Sequence, residues 1–219
     1  MNRGQIRDLA RKSLGETTAA FWTDAELNLY INLAGHDIAD KTKCIKTNSY
    51  ITSVLDQTEY STALLSSCLS ISEIYFKTLG TTWEKLDPTD RTTMDNENSG
   101  WLNAESGTPT KYIEDMEHKV ITIYTAPDSS NAGTNYMRVF YSTDFTELTN
   151  DNTTPSDIPS IDLQLAMADF VCAYGFQQRG WGDKANDAWS KYFTRLKEYM
   201  IERGREVEDR DIVMKPSRR

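Results

Sequence analysis

The stretch that decides the fold is Gly100–Phe145, GWLNAESGTPTKYIEDMEHKVITIYTAPDSSNAGTNYMRVFYSTDF. It is the only long part of the sequence with a clear β pattern. Three strand-like runs lie in it: Lys111–Asp115, Lys119–Tyr124 and Tyr136–Ser142. Aromatic and β-branched residues alternate along the last two, as on a pleated, half-buried surface. Glu117-His118 makes a tight connection and Asp128–Gly133 a looser one. The stretch therefore predicts an antiparallel β meander.

Both flanks of this stretch predict helices. Apolar residues recur at helical spacing on each side, and Thr23-Asp-Ala-Glu26 is a capping box that opens the second helix. Only three residues separate the last two helices, which predicts an antiparallel helix hairpin. The predicted helices are Asn2–Leu14, Thr23 to about Lys41, Ser160 to about Gly180, and Asp183 to about Arg203. Together these patterns predict an α+β protein, in which a helical bundle built from the N- and C-terminal helices carries a β-rich insert.

The region before the meander is less regular. Asn48–Val54 and Leu64–Thr78 look extended, and the polar Asp56–Glu59 between them is typical of a hairpin tip. Asp87 followed by Pro88 favours a helix start, with Asp87 as cap and Pro88 at the first helical position. We therefore expect a strand hairpin and then a short helix.

These patterns divide the chain into four parts. Residues 1–47 supply the N-terminal helices of the bundle, 48–148 the β-rich insert and 149–204 the C-terminal helix hairpin. Residues 205–219 form a charged tail. Thr149–Pro159 is expected to be a polar linker between the insert and the hairpin.

The net charge of −9 is unevenly distributed along the chain. Glu84–Asp162 holds 15 acidic and 5 basic residues, whereas the segments before and after it are near neutral. Binding to a nucleic-acid backbone needs an excess of Lys and Arg, so the middle of the chain is not a nucleic-acid-binding surface. This acidic surface has one of three roles: it keeps the protein soluble, it faces a positively charged partner, or it lines a path through which DNA slides.

Motifs of catalysis and metal binding are missing from the sequence. It has no P-loop, no GxGxxG, no HExxH and no GxSxG. The two histidines are far apart, and the three cysteines lack CxxC spacing. The carboxylates Glu114, Asp115 and Glu117 cluster at a turn, where solvation is a commoner role than metal binding. We expect no enzyme activity, no cofactor and no metal site.

Two features suggest contacts with other molecules. Arg3, Arg7 and Arg11 stack at i, i+4 on one face of the first helix. This row is either a solvated face or an inter-subunit contact with an acidic neighbour. The tail after Gly204 carries one apolar cluster, Ile212-Val213-Met214, and ends in Arg218-Arg219. It is either unstructured or an arm that docks on a partner.

The order of these elements resembles the neck adaptor proteins of tailed bacteriophages, also called head-to-tail connectors. Three stretches carry the resemblance. They are Arg3–Arg7 with Thr18–Asn32 (TAAFWTDAELNLYIN), Ser106–Tyr112 with Ile121–Pro127 (ITIYTAP), and Asp157–Ser160 at the start of the helix hairpin. They span most of the chain. The extended region before Leu79 and the charged tail depart from the family pattern.

The resemblance implies a structural protein of the virion neck, between head and tail, assembled in the host cytoplasm. It implies a homo-oligomeric ring, a dodecamer if it follows the portal, that docks on the portal, extends the DNA channel and gives the tail an attachment platform. Expected partners are therefore the portal protein and tail or neck proteins, with DNA passing through without sequence-specific binding and no membrane contact. The portal-binding residues we expect are Ile212, Val213, Met214, Arg218 and Arg219, and the inter-subunit residues Arg3, Arg7 and Arg11.

Two other classes remain open at this point. An enzyme of unidentified type would need a site assembled from distant segments. A regulatory DNA binder would need a basic recognition helix, which the acidic balance argues against.

Overall fold

The computed structural model of the chain describes residues 1–16, 18–78 and 81–203. By its contacts the chain divides into two compact units. A helical unit takes Met1–Ile45 and the chain from Phe145 onward, and a β unit takes Lys46–Asp144. The predicted class, a mixed α+β protein with helices from both ends of the chain, is confirmed.

The four long helices begin where the sequence predicts. Asn2 caps the first, and the capping box of Thr23 and Glu26 forms at the second, with each side chain bonded to the other's backbone. Ser160 caps the third long helix, which ends before Gly180, a residue with φ of +71°. In chain order the helices are α1 (Arg3–Leu14), α2 (Asp24–Thr42), α3 (Arg91–Glu97, in the β unit), α4 (Ile161–Gln178) and α5 (Gly182–Glu202).

Helix α4 is the centre of the helical unit, since α1, α2 and α5 all pack against it. A helix buried on several sides has apolar residues around most of its circumference. The buried set on α4 accordingly includes Leu163, Ala166, Met167, Phe170 and Val171. Ile161, at the start of α4, is an exception and is 54% exposed.

Aromatic rings fill the contact between α4 and α5. Phe170 lies 5.2 Å from Trp189 and 5.3 Å from Tyr192, centroid to centroid, both edge-on. Tyr174 lies 5.4 Å from Trp189 and stacks on Tyr30 of α2 at 5.3 Å. Such pairs stabilise a core beyond the area they bury, so this layer joins three helices.

The chain between the β unit and α4 was expected to be a polar linker, yet it is fastened to the helical unit. The ring of Phe145 lies where a Cβ on Gly35 of α2 would be. The backbone N–H of Leu148 donates to Asn32 Oδ1 at 3.0 Å, and that of Arg3 donates to the carbonyl of Thr153 at 2.9 Å. These contacts have no helical or strand periodicity, which is why the sequence pattern does not predict them.

The β unit contains two four-stranded sheets. The strands are β1 (Lys46–Ser53), β2 (Glu59–Ser61), β3 (Cys68–Thr78), β4 (Thr82–Lys85), β5 (Asp87–Thr89), β6 (Lys111–Asp115), β7 (Val120–Tyr124) and β8 (Gly133–Thr143). The first sheet has the strand order β1-β8-β3-β4 and the second β2-β7-β6-β5. All pairs are antiparallel except β5 with β6, which is parallel.

One hydrophobic core joins the two sheets. Ile74 and Phe76 of the first sheet and Ile121 and Ile123 of the second are fully buried in the same cluster. Every second residue is buried from Ile74 to Thr78 of β3 and from Met137 to Tyr141 of β8, as a strand with one buried face requires. The unit is therefore a small β sandwich.

The structure corrects three expectations about the β unit. The meander is split, because β6 and β7 pair but β8 lies between β1 and β3 in the other sheet. The two extended runs before it do not form a hairpin with each other, because both pair with β8 instead. Asp87-Pro88 belongs to strand β5 rather than to a helix, and the helix starts later, with Asp90 as its cap. All three corrections involve long-range pairing, which turn and cap patterns do not encode.

Candidate functional site

The arginine row on α1 is used within the chain. Arg3 Nη2 lies 2.8 Å from Asp151 Oδ1, and Arg7 Nη2 lies 2.8 Å from Asp151 Oδ2. Arg11 Nη2 lies 2.5 Å from Asp24 Oδ1. The three arginine side chains are only 12%, 13% and 6% exposed, so the alternative of a solvated face is wrong. An inter-subunit contact through this row stays a prediction.

The electrostatics of the row centre on Asp151. Hydrogen bonds from Arg7 and then Arg3 hold the pKa of the Asp151 carboxyl below its usual range. The same hydrogen bond from Arg7 raises the pKa of that guanidinium further. Charge-assisted, two-pronged contacts of this kind fix geometry as well as add free energy. The row therefore holds the segment after the β unit against α1.

A second cluster of charged side chains, formed by Arg11, Glu16 and Arg179, lies at the C-terminal end of α1. Glu16 is buried and accepts from Arg11 Nη1 at 3.3 Å and from Arg179 Nη2 at 3.2 Å. The Arg179 guanidinium carbon lies 4.5 Å from the ring of Phe21, 4.4 Å from Trp22 and 5.0 Å from Trp181. Arginine stacks well on aromatic faces, and here the stacking closes one end of the bundle.

The outer faces of the two sheets of the β unit differ. On the second sheet, Met94 of α3 and Trp101 cover Ile113 and pack with Tyr124. The outer face of the first sheet carries large aromatic and cationic side chains, of which Tyr50 is 47% and Trp83 39% exposed. We call this surface the aromatic–cationic face. Its residues are Lys46, Tyr50, Tyr75, Lys77, Trp83, Lys85, Tyr136, Arg138 and Phe140.

Pairing across the strands places these side chains in rows. Arg138 of β8 lies opposite Tyr50 on one side and Tyr75 on the other. Its guanidinium carbon is 5.4 Å from the Tyr50 ring and 4.6 Å from the Phe140 ring. Lys77 lies over Tyr136, with its Nζ 5.5 Å from the ring. Two of the four cations of this face, Lys77 and Arg138, therefore lie over aromatic rings.

The groups considered for catalysis or metal binding have ordinary roles. His36 lies 3.8 Å from Glu147, and the exposed His118 lies 2.8 Å from Asp115. Glu114 accepts from the backbone N–H of Ile71 at 2.9 Å. Burial raises the pKa of the Cys172 thiol to about 12. Within the described residues no cluster of three His, Cys, Asp or Glu side chains is placed to hold a metal ion.

Two further points concern the expected sites. The predicted portal-binding residues Ile212, Val213, Met214, Arg218 and Arg219 lie outside the described residues. Among the helices that the structure describes, none has the length and apolar character needed to span a membrane.

Sequence reasoning missed the residues that meet the arginines and the aromatic–cationic face. Asp151 lies 144 positions from Arg7, and no local pattern connects them. The alternation of Tyr136, Arg138 and Phe140 was visible as one face of a strand. Their neighbours on β1 and β3 come from at least 59 positions earlier in the chain, so the complete surface was not predictable.

Comparison with known proteins identifies a family. A family model described as SU10 adaptor protein matches residues 1–218. A search among curated proteins found no significant match. The family match covers nearly the whole chain, both units included, and agrees with the resemblance noted from the sequence. The chain therefore belongs to the SU10 adaptor protein family and is a structural adaptor protein of a bacteriophage.

Proposed function

We propose that the chain forms a homo-oligomeric ring, a dodecamer, that docks on the portal in the virion neck and connects head to tail. The ring extends the DNA channel, and its far side is the platform for tail or neck proteins. It assembles in the host cytoplasm and catalyses no reaction. The single observation that carries this proposal is the family match over residues 1–218.

The division of the chain into two units supports this role. A ring uses head-to-tail contacts, so each subunit needs two different, complementary surfaces. The β unit holds 14 acidic and 7 basic residues, for a net charge of −7. The residues from Leu163 to the end hold 9 acidic and 11 basic residues. Excess carboxylates that face the channel would keep DNA from adhering to the wall while it moves.

We propose that the tail supplies the portal contact. Ile212, Val213 and Met214 are the apolar anchors and Arg218 and Arg219 the ionic ones. A segment that becomes ordered on binding loses conformational entropy at that step. Binding of a single subunit is then reversible, whereas the assembled ring is stable.

The experiment is portal binding by the full chain and by a chain that ends at Gly204. We expect the truncated chain to keep its circular dichroism spectrum and melting temperature and to lose portal binding. Two further variants separate the anchors. Replacing Ile212, Val213 and Met214 together by Ser should abolish binding at all salt concentrations. Replacing Arg218 and Arg219 by Ser should weaken binding and reduce its salt dependence. Full-strength binding by the truncated chain would exclude the tail as the contact.

A further inference from the structure

The aromatic–cationic face concentrates the positive charge of an otherwise acidic unit. Four of the seven basic residues of the β unit lie on it: Lys46, Lys77, Lys85 and Arg138. One acidic residue, Glu73 of β3, lies beside these cations and pairs with Lys85 at 2.7 Å. The remaining surface of the unit then holds 13 acidic residues and 3 basic ones. One face is thus cationic, and the rest of the same unit is strongly anionic.

In the part of the chain that the structure describes, three of these four cations form no ion pair. Among the described residues, no carboxylate lies within 4 Å of the charged groups of Lys46, Lys77 or Arg138. Arg138 instead donates to Asn48 Oδ1 at 3.2 Å and lies against two aromatic rings. Aromatic residues and Arg are enriched at the centres of protein interfaces, where they supply most of the binding free energy. This composition fits a contact with a protein surface that brings carboxylates.

We propose that the aromatic–cationic face binds the acidic surface of the β unit of a second copy of this chain. The contact is heterologous, because a cationic face on one copy meets an anionic surface on the next, and repetition of such a contact generates a ring or a filament. The inference rests on the proposed ring and specifies which surface joins its subunits. The face is a source of positive charge in addition to the arginine row on α1, whose three members already pair with carboxylates within the chain.

Charge argues for a protein partner rather than a nucleic acid. Aromatic rings interleaved with cations are also the chemistry of single-strand binding platforms. Phosphate binding, however, depends on a net excess of Lys and Arg, and the acidic remainder of this unit repels a polyanion. A second copy has the same net charge of −7, but its acidic surface brings carboxylates directly against the cations of this face, and this local complementarity favours the contact.

A carbodiimide cross-linking experiment on purified virions tests the contact directly. Carbodiimide joins a lysine to a carboxylate only when the two touch. The outer faces of the sandwich lie on opposite sides of the core, so a link from Lys77 to a carboxylate of the second sheet joins two copies. We expect links from Lys46 or Lys77 to carboxylates of the second sheet, such as Glu59, Glu114 or Asp115. Links from these lysines to the portal or another protein instead would overturn the inference.

The same experiment separates this inference from the proposed function. Cross-links between this chain and the portal report on the proposed function, whatever Lys46 and Lys77 bind. Portal links without copy-to-copy links from the face sink the inference alone. Cross-links between copies of this chain, without any cross-link to the portal, would contradict the proposed docking on the portal and support the inference.

A charge-reversal variant provides an independent readout. Lys77→Glu with Arg138→Glu should reduce ring formation on the portal by about tenfold or more, because like charges would then face each other. The matched control is Lys12→Glu with Lys197→Glu, at exposed positions of the helical unit, which changes the net charge equally outside both proposed contact surfaces and should assemble normally. Thermal melting checks that both variants fold. Normal rings from the first variant, or fluorescent oligo-dT binding that the wild type has and this variant lacks, would contradict the inference.

Discussion

The carboxylate of Asp151 is held by the guanidinium of Arg7 through two hydrogen bonds, from Nη1 at 3.0 Å and from Nη2 at 2.8 Å. Arg3 donates to the same carboxylate from Nε and Nη2. Asp151 lies in the segment that leads from the β unit to α4, and both arginines lie on α1. This one side chain therefore fixes a segment without regular structure to the first helix.

Asp151→Asn should lower the free energy of unfolding by about 1 kcal/mol, a value reduced because the Asp151 side chain is 47% exposed. Chemical denaturation measures the change. Asp157→Asn, in the same segment, is the control and should be near neutral. Equal stability of wild type and Asp151→Asn would show that the two-arginine contact contributes nothing to folding.

The effect of Asp151 should depend on pH. Its pKa is lowered in the folded state by Arg7 and Arg3, so the folded state binds its proton less readily than the unfolded chain. The stabilisation is therefore present above the unfolded pKa of about 3.9 and is lost as pH falls through the folded value. Denaturation curves of wild type and Asp151→Asn should converge in acid. A difference that grows below pH 4 would contradict this linkage.

Arg11 is the most deeply buried member of the row, and its removal leaves Glu16 with one cation fewer. Arg11→Met should lower the free energy of unfolding by about 1–2 kcal/mol, less than the loss of an isolated buried ion pair, because Glu16 keeps its contact with Arg179. Lys12→Met, at an exposed neighbouring position of α1, is the control and should change stability little. If both variants are equally stable, the Arg11–Glu16 contact is not structural.

Gly35 is a packing glycine, because a Cβ there would overlap the ring of Phe145. Gly35→Ala should destabilise the helical unit by about 1–3 kcal/mol through overpacking. Gly182→Ala, at the start of α5, meets nothing within 4 Å and should be neutral or slightly stabilising. Shrinking the ring with Phe145→Leu in the Gly35→Ala background should recover part of the loss. A Gly35→Ala protein as stable as wild type would refute the close contact.

Cys172 should be unreactive in the native protein. Burial raises its pKa to about 12, and its thiol donates to the Ala10 carbonyl at 3.7 Å. Iodoacetamide at pH 8, read by mass spectrometry, should modify Cys172 only after unfolding in guanidinium, while the half-buried Cys68 reacts earlier. Rapid native labelling of Cys172 would show that this part of the helical unit opens readily.

Local patterns predicted the local structure of this chain well. The capping box at Thr23, the cap at Ser160 and the left-handed glycine at 180 mark helix ends that the structure confirms. Such signals depend on residues three or four positions apart, so a single sequence contains them. The hairpin of β6 and β7 was predictable for the same reason.

Long-range pairing was not predictable from these patterns. Strand β8 follows β7 in the sequence but pairs with β1 and β3, since burial of its inner residues favours that arrangement over a meander. The partner of Arg7 at position 151 and the rows beside Arg138 depend on the same tertiary placement. The candidate surface was therefore visible only as one alternating strand.

Electron cryomicroscopy of the neck in purified virions tests the central claim most directly. The account predicts a closed ring of this chain immediately below the portal, with the face around Arg138 and Lys77 against the acidic β unit of the next copy. A ring joined through other surfaces would contradict the proposed contact. Finding the chain away from the portal would contradict the proposed neck function.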